Sequence, residues 1–151
     1  MKKLIELVNE LEVNISNLEK TNPLVSTATI GWQIDHSLRV LNGIIIQLKK
    51  SNPKEYKWEF SFKRVLVFTT NHIPRGKAKA PKTVTPDSVA TKKELMEKLQ
   101  LVQQNILELD GLHKNSFFNH PYFKNLKLKQ TRKFLVLHTN HHLKIIRAIL
   151  K

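Results

Sequence analysis

The first candidate for a functional site in this sequence is a pair of histidines four residues apart. His138 and His142 lie in residues 129–150, a largely apolar segment with the length of a helix. Four residues advance a helix by about 6 Å and little more than one turn, so the two imidazoles point the same way. Two nitrogens in this arrangement can each reach one metal ion at about 2.1 Å. The spacing therefore indicates a candidate site for a divalent metal.

The position of these histidines on the predicted helix supports this interpretation. On a helical wheel of about 100° per residue, His138 and His142 fall within an apolar stripe that should face the core. Its other members are Phe134, Leu135, Ile145, Ile146 and Ile149. A buried imidazole needs hydrogen-bond partners or a metal to offset its desolvation. His141 lies on the flank of the stripe and is a weaker ligand candidate. A structural core in which the histidines satisfy one another remains the alternative.

A third histidine lies in the second helical pattern, residues 29–50. This pattern is apolar over most of its circumference, which predicts a helix with two or more neighbours. His36 falls in one of its apolar stripes, whereas Asp35 falls on the narrow polar strip. A lone histidine in such a stripe is more often a hydrogen-bonded core residue than a ligand, so the spacing alone makes His36 a weak candidate.

The remaining periodicity predicts the elements that position these residues. Amphipathic helices are expected over residues 2–20 and 91–110, the second opened by a capping box of Thr91 and Glu94. The alternation of Trp58 to Phe62 suits a strand, but a short helix over residues 62–71 is favoured. Residues 72–86 and 113–128 are predicted to be long loops. The second is rich in aromatic residues, so we expect it to fold back and cover the bundle. We predict an all-α fold, a four-helix bundle with long connecting loops, in one domain spanning residues 1–151.

The composition excludes several classes of protein and several kinds of metal or catalytic site. The chain has 151 residues and no cysteine, which excludes disulfides, thiolate metal sites and a cysteine nucleophile, and points to a reducing compartment. Acidic residues interrupt the N-terminal apolar pattern before a signal peptide can form. No stretch reaches the roughly 20 apolar residues that a membrane span needs. We therefore expect a cytoplasmic protein with no membrane partner.

The charge of the chain is strongly positive and unevenly spread. The formal net charge is +14, and residues 111–151 contain nine basic residues and no acidic one. Such asymmetry is typical of proteins that bind nucleic acid or another polyanion. A lysine-rich solvated surface is the favoured explanation, because the basic residues are singly interleaved and no nucleic-acid-binding motif accompanies them.

Several short stretches of the sequence, taken together, resemble those of a known protein family. They are HPYFKNL at residues 120–126, followed by Gln130 and by HTNHHL at residues 138–143, then WQIDHSL at residues 32–38 and PRGKAKAP at residues 74–81. Together they resemble the DinB-like family, including the YfiT-like proteins, in its branch described as a domain of unknown function. The resemblance covers most of the chain after Thr29.

The resemblance implies a fold, a cofactor and a ligand set. DinB-like proteins are four-helix bundles that hold a divalent metal ion, often zinc or nickel, with one histidine from the second helix and two from the last. At the matching positions of this sequence these ligands are His36, His138 and His142. Three neutral imidazoles leave a coordination position open for water or substrate. Because the wider superfamily includes thiol-dependent transferases and isomerases, we interpret the protein as a metal-dependent hydrolase or transferase with an unknown small-molecule substrate.

Some residues depart from the pattern of the DinB-like family, and no catalytic residue can be assigned. Lys124 follows Phe123 where the family usually has a glycine, and no carboxylate is placed to act as a general base. Catalytic residues therefore remain unknown; His120 and His141 are weak candidates for proton transfer, and His72 and His113 are loop residues without a role. The alternative function is a non-enzymatic protein whose basic surface binds nucleic acid. We also allow for a homodimer, although no heptad seam predicts it.

Overall fold

The computed structural model describes residues 1–76 and 80–151, and this part of the chain is mostly helical. It contains a two-stranded antiparallel sheet, β1 (Phe117–His120) and β2 (Lys124–Lys127). Its five α-helices are α1 (Lys2–Val13), α2 (Ile30–Lys50), α3 (Phe62–Thr70), α4 (Lys92–Glu108) and α5 (Leu128–Ile149).

The four longer helices pack around one hydrophobic core. Both α1 and α2 pack against both α4 and α5, so α1 and α2 occupy opposite corners of the arrangement. The side chains at the centre are aliphatic and recur at helical spacing, which is the pattern that predicted the helices. The largest fully buried ones include Leu4, Leu7, Leu11, Ile34, Leu38, Leu41, Ile45, Leu95 and Leu99.

Local capping sets most of the helix boundaries. The hydroxyl of Thr29 accepts a hydrogen bond from the N–H of Trp32 at the start of α2. Thr91 and Glu94 form the predicted capping box at the start of α4. Asn71 ends α3 in the left-handed conformation, with φ of 50°. The predicted helices at residues 29–50, 62–71, 91–110 and 129–150 are confirmed to within two residues at each end.

The first helix is shorter than predicted. α1 ends at Val13 and continues only as a 3-10 turn, Asn14–Asn17, where the side-chain amide of Asn14 donates to the carbonyl of Glu10. The chain then reverses direction onto α2. At the contact, a Cβ on Gly31 would lie 3.0 Å from the carbonyl oxygen of Leu18, so only glycine fits without a shift.

The prediction of a fold without strands was wrong in the region of residues 113–128. β1 and β2 form a hairpin there, with Phe118 paired to Leu126 and His120 paired to Lys124. Lys124, at the position where the resemblance implied a glycine, has φ of 61°. The hairpin packs against α2 and α5, so this region covers the helices as expected, but as a sheet.

The long basic loop is only partly described. Residues 77–79 fall inside it, so the resemblance assigned to residues 74–81 lies partly outside the described residues. Beyond the gap, Lys82–Val84 form a short 3-10 turn that packs against α2. No helix in the described parts of the chain is long and apolar enough to cross a membrane.

Candidate metal centre

The three predicted ligands meet at one point between α2 and α5. His36 lies in α2, and His138 and His142 lie on successive turns of α5. Each contributes one ring nitrogen, and these three nitrogens all lie within 4.8 Å of one another. The ring centroids are 4.6 Å apart for His138 and His142, and 4.7 and 5.2 Å for His36 with His142 and with His138. The geometry therefore suits one shared metal ion.

A backbone carbonyl fixes the protonation of His36. Its Nδ1 lies 2.8 Å from the carbonyl oxygen of Val84, in the 3-10 turn that follows the basic loop. Since a carbonyl can only accept, Nδ1 carries the hydrogen and donates it, which leaves the Nε2 lone pair free. This is the usual outer partner of a metal-binding histidine.

A glutamine plays the same part for His142. The Nδ1 of His142 lies 2.6 Å from Oε1 of Gln33, and the Nε2 of Gln33 donates to the hydroxyl of Ser26 at 3.3 Å. The contact with Ser26 orients the amide so that its oxygen faces the imidazole. His142 therefore donates from Nδ1 and keeps the lone pair of Nε2 available.

His138 differs from the other two histidines because one of its nitrogens has no partner. Its Nδ1 is inaccessible to solvent and makes no hydrogen bond with any described residue. An unsatisfied buried polar atom is costly, and native structures generally supply it with a partner. This free bonding capacity, next to two imidazoles held with their Nε2 lone pairs available, fits a site that binds a cation.

Burial keeps the cluster neutral. It lowers the pKa of His36, although the hydrogen bond to Val84 and the charge of Asp35 oppose the effect. Burial lowers the pKa of His138 and His142 well below the ordinary value, and repulsion from the neighbouring imidazoles lowers both further. At neutral pH all three rings are therefore unprotonated at one nitrogen, which is the form that binds metals.

Aromatic side chains enclose the cluster. The ring of Trp32 stacks on His36 with a centroid separation of 5.1 Å and an interplanar angle of 13°. Phe134 lies against His138 at 5.5 Å. These contacts give the histidines a largely apolar shell, which limits the access of water and strengthens electrostatic interactions inside it.

Asp35 lies on the predicted polar strip of α2 together with Arg39, and this strip faces α4. The residue is fully buried, because its carboxylate pairs with Arg39 at 3.1 Å and with Lys98 of α4 at 2.5 Å. Both carboxylate oxygens thus accept from cations, so Asp35 joins two helices and is not a free base. The contact with α4 depends on tertiary packing, which helical periodicity alone does not reveal.

The other histidines stay outside the three-nitrogen cluster. His120 stacks on Phe123 at 4.2 Å, and its Nδ1 accepts the N–H groups of Tyr122 and Phe123, which closes the hairpin turn. Burial lowers its pKa to about 4. Its place in the structure is that of a turn residue.

His141 adjoins the cluster without joining it. Its ring meets that of His142 edge-on at 5.1 Å, and it hydrogen-bonds to the backbone of Ile73. Burial, with the nearby charges of Arg75 and His72, lowers its pKa to about 4. His72 and His113 are exposed, as expected of loop residues.

Sequence reasoning missed the two groups that orient the ligands. Gln33 stands inside the WQIDHSL stretch, and a polar residue at a buried helical position is a signal that could have been read. Val84 contributes only its backbone carbonyl, which every residue type has, so the sequence could not have indicated it.

A shallow groove of about 420 Å³ lies away from the candidate metal centre. The residues that line it include Leu4, Arg132 and Leu137 but none of the three histidines.

The basic C-terminal segment obtains counter-charges from other elements. Its arginines are paired, Arg132 with Asp110 at 2.8 Å and Arg147 with Glu10 at 2.5 Å. Lys133 donates to the carbonyl oxygen of Phe68 at 2.7 Å. Part of the charge asymmetry seen in the sequence is therefore balanced in the folded chain, and the segment is not a uniformly free basic surface.

No protein-family model, curated protein or solved structure matches this chain. Its own geometry therefore carries the functional proposal.

Proposed function

We propose that this chain is a DinB-like metal-binding helical bundle in which His36, His138 and His142 hold one divalent cation, zinc or nickel. The observation that carries the proposal is the convergence of the three ring nitrogens within 4.8 Å of one another. The histidine spacing in α5 and the resemblance of the surrounding stretches point to the same residues. The activity that fits such a site is that of a metal-dependent hydrolase or transferase.

The donor set favours zinc or nickel over hard cations. Neutral imidazoles suit zinc, nickel and copper, whereas magnesium and calcium require oxygen ligands. Three protein ligands are the number found in catalytic sites, which keep one position for water or substrate. A divalent ion bound here would act as a Lewis acid towards a carbonyl or thiol group of the substrate.

The protein's own residues prepare the site. The carbonyl of Val84 and the amide of Gln33 hold His36 and His142 in one orientation and one tautomer. Trp32 and Phe134 restrict water around the rings. Because Asp35 is already paired with two cations, it is not available as a general base. Without a free carboxylate base, either reaction would depend on the metal ion, which would lower the pKa of a bound water in a hydrolase or bind the substrate thiolate in a transferase.

Competition between the protein and a coloured chelator for zinc and nickel tests the site. We expect His36→Ala to weaken the affinity at least about 100-fold, since one of three ligands is lost. His113→Ala, at an exposed histidine outside the cluster, is the matched control and should leave affinity unchanged. Equal affinities for the His36→Ala variant and the unsubstituted protein would refute the ligand assignment.

A second measurement, on the metal-loaded protein, tests whether the metal site is open to a substrate. Replacing zinc with cobalt gives a visible spectrum that reports the coordination of the ion. A small thiol should shift that spectrum if one position is open for a substrate thiolate, and the transferase reading then gains support. A spectrum that neither thiols nor carboxylates alter would indicate a closed, structural site and would remove the enzyme proposal.

The alternative proposal, binding of nucleic acid by the basic surface, rests on the net charge of +14. The ion pairs of Arg132 and Arg147 weaken it, because those side chains are already engaged. A polyanion-binding protein would show a steep log–log dependence of affinity on salt concentration. Absence of binding to single- and double-stranded nucleic acid at low salt would dispose of this alternative.

A further inference from the structure

A row of exposed apolar side chains runs along the segment before α3 and along the first turns of that helix. We call it the outer strip; its members are Trp58, Phe60, Phe62, Val65 and Leu66. The three aromatic residues are 64, 64 and 69% exposed, and the two aliphatic ones 46 and 50%. A contiguous exposed set of large apolar residues on a folded chain usually marks an interaction site.

The opposite side of the same segment fixes the outer strip in this orientation. Ser61, Arg64 and Val67 are buried. The hydroxyl of Ser61 donates to the carbonyl of Tyr122 at 3.1 Å. The Arg64 guanidinium donates to three carbonyls, those of Glu59, Phe123 and Asn125, at 2.6 to 3.3 Å. These hydrogen bonds hold the segment against the hairpin, so the outer strip cannot turn inward to be buried within its own chain.

We propose that the outer strip is the contact surface for a second copy of this chain, related to the first by a two-fold axis. A symmetric dimer would place the strip of one protomer against the strip of its partner and remove both from water. The proposal concerns a different face from the three-histidine cluster and does not depend on metal binding.

The apolar area of the strip matches what a stable dimer needs. An aromatic side chain buries about 150–250 Å² when fully covered, so the exposed parts of the five residues amount to about 500 Å². A standard interface takes about 800 Å² from each partner, of which about 60% is apolar. The outer strip can therefore supply the apolar centre of one interface of ordinary size.

The charges around the strip favour a protein copy over a polyanion or a lipid surface. Glu55 and Glu59 are interspersed with Lys54, Lys57 and Lys63, and all five side chains are exposed. Two copies that meet here can pair acidic groups of one with basic groups of the other. A surface that recognises phosphates would instead be expected to lack the acidic residues. The net charge of +14 is spread over the molecule. Because salt screens charges that are more than about 8 Å apart, repulsion between distant charges of two copies is weak at physiological salt.

Sedimentation equilibrium of the complete protein tests the proposal, with a double variant, Phe60→Asp and Phe62→Asp, that places charges in the strip. We expect the unsubstituted protein to be dimeric at micromolar concentration and the double variant to dissociate at least about 100-fold more readily. Leu107→Asp is the matched control, because Leu107 is 74% exposed on α4 and lies outside the strip. It should remain dimeric. Circular dichroism checks that each variant is folded.

Pulsed electron paramagnetic resonance gives a second readout that leaves the strip intact. The chain has no cysteine, so Thr69→Cys, at an exposed position of α3 outside the strip, provides a single position for a spin label. We expect one short label-to-label distance, which disappears on dilution with unlabelled protein. If the protein is a monomer at all concentrations, the proposal is wrong. Binding of that monomer to anionic vesicles or nucleic acid would assign the strip to a different partner. A dimer that survives the double variant overturns the proposal as well, since the contact would then lie elsewhere.

Discussion

At the residue scale, the candidate centre depends on groups that set the tautomer of each histidine. Gln33 and the Val84 carbonyl both accept from an imidazole Nδ1, which leaves each Nε2 lone pair available to a metal ion. The histidine pair of α5 could be predicted from its spacing. His36 required the resemblance in addition, because a lone histidine on an apolar face has no partner in its own helix. The Val84 carbonyl could not be predicted, because any residue type would supply it.

Gln33 provides the first test at this scale. Gln33→Leu removes the acceptor of the His142 Nδ1–H while it keeps a similar volume in the core. We expect zinc affinity to fall about 10–100-fold, as is usual when an outer partner of a ligand is lost. Gln104→Leu, at an exposed position of α4, is the control. Chelator competition measures both. If Gln33→Leu binds zinc as tightly as the control, Gln33 does not orient the ligand.

His120 gives rise to a pH-dependent prediction. Burial lowers its pKa from 6.5 to about 4, so below pH 6.5 the unfolded chain takes up a proton that the folded chain does not. Stability is therefore full above pH 6.5 and falls as the pH drops towards about 4. His120 alone accounts for a loss of about 3 kcal/mol at most. Other buried histidines add to the loss.

His120→Asn isolates this contribution. The asparagine oxygen can accept the two backbone N–H groups of the turn, as in an Asx turn, but does not titrate. Urea unfolding of metal-free protein at a series of pH values should show a shallower loss of stability for the variant between pH 6.5 and 4. Identical slopes for the variant and the unsubstituted protein would mean that His120 is not the buried acceptor described here.

At the element scale, the helices follow from local sequence and the hairpin does not. Periodicity and the capping box at Thr91 predicted four helices to within two residues at each end. β1 and β2 have four residues each, too few for alternation to stand out, and they are held by distant groups such as Arg64. The burial of Asp35 was missed for the same reason, since its partner Lys98 lies on another helix.

Arg64 is the residue to change at this scale. Arg64→Met removes the donors to three carbonyls: those of Phe123 and Asn125 join α3 to the hairpin, and that of Glu59 lies in the segment before α3. We expect a loss of about 2–4 kcal/mol of unfolding free energy. Arg64→Lys should recover little, because one ammonium group cannot span all three acceptors. Arg75→Ala, at an exposed position, should change stability by less than about 0.5 kcal/mol. Equal stabilities in urea unfolding would show that the hairpin does not depend on Arg64.

At the scale of the whole molecule, one bundle brings together residues that lie about 100 positions apart in the sequence. α2 and α5 are neighbours in the core, and this packing places His36 beside His138 and His142. The mostly helical fold could be predicted from periodicity and loop composition. The outer strip could not, because an exposed aromatic residue and a buried one look alike in a sequence until the partner surfaces are known.

We propose that the chain holds one metal ion between α2 and α5. Elemental mass spectrometry of tag-free protein, beside a His138→Ala/His142→Ala double variant, tests it most directly. After incubation with zinc or nickel and removal of free metal, we expect close to one ion per unsubstituted chain and none in the folded double variant. No metal in the unsubstituted protein, or equal metal in both, would contradict the claim.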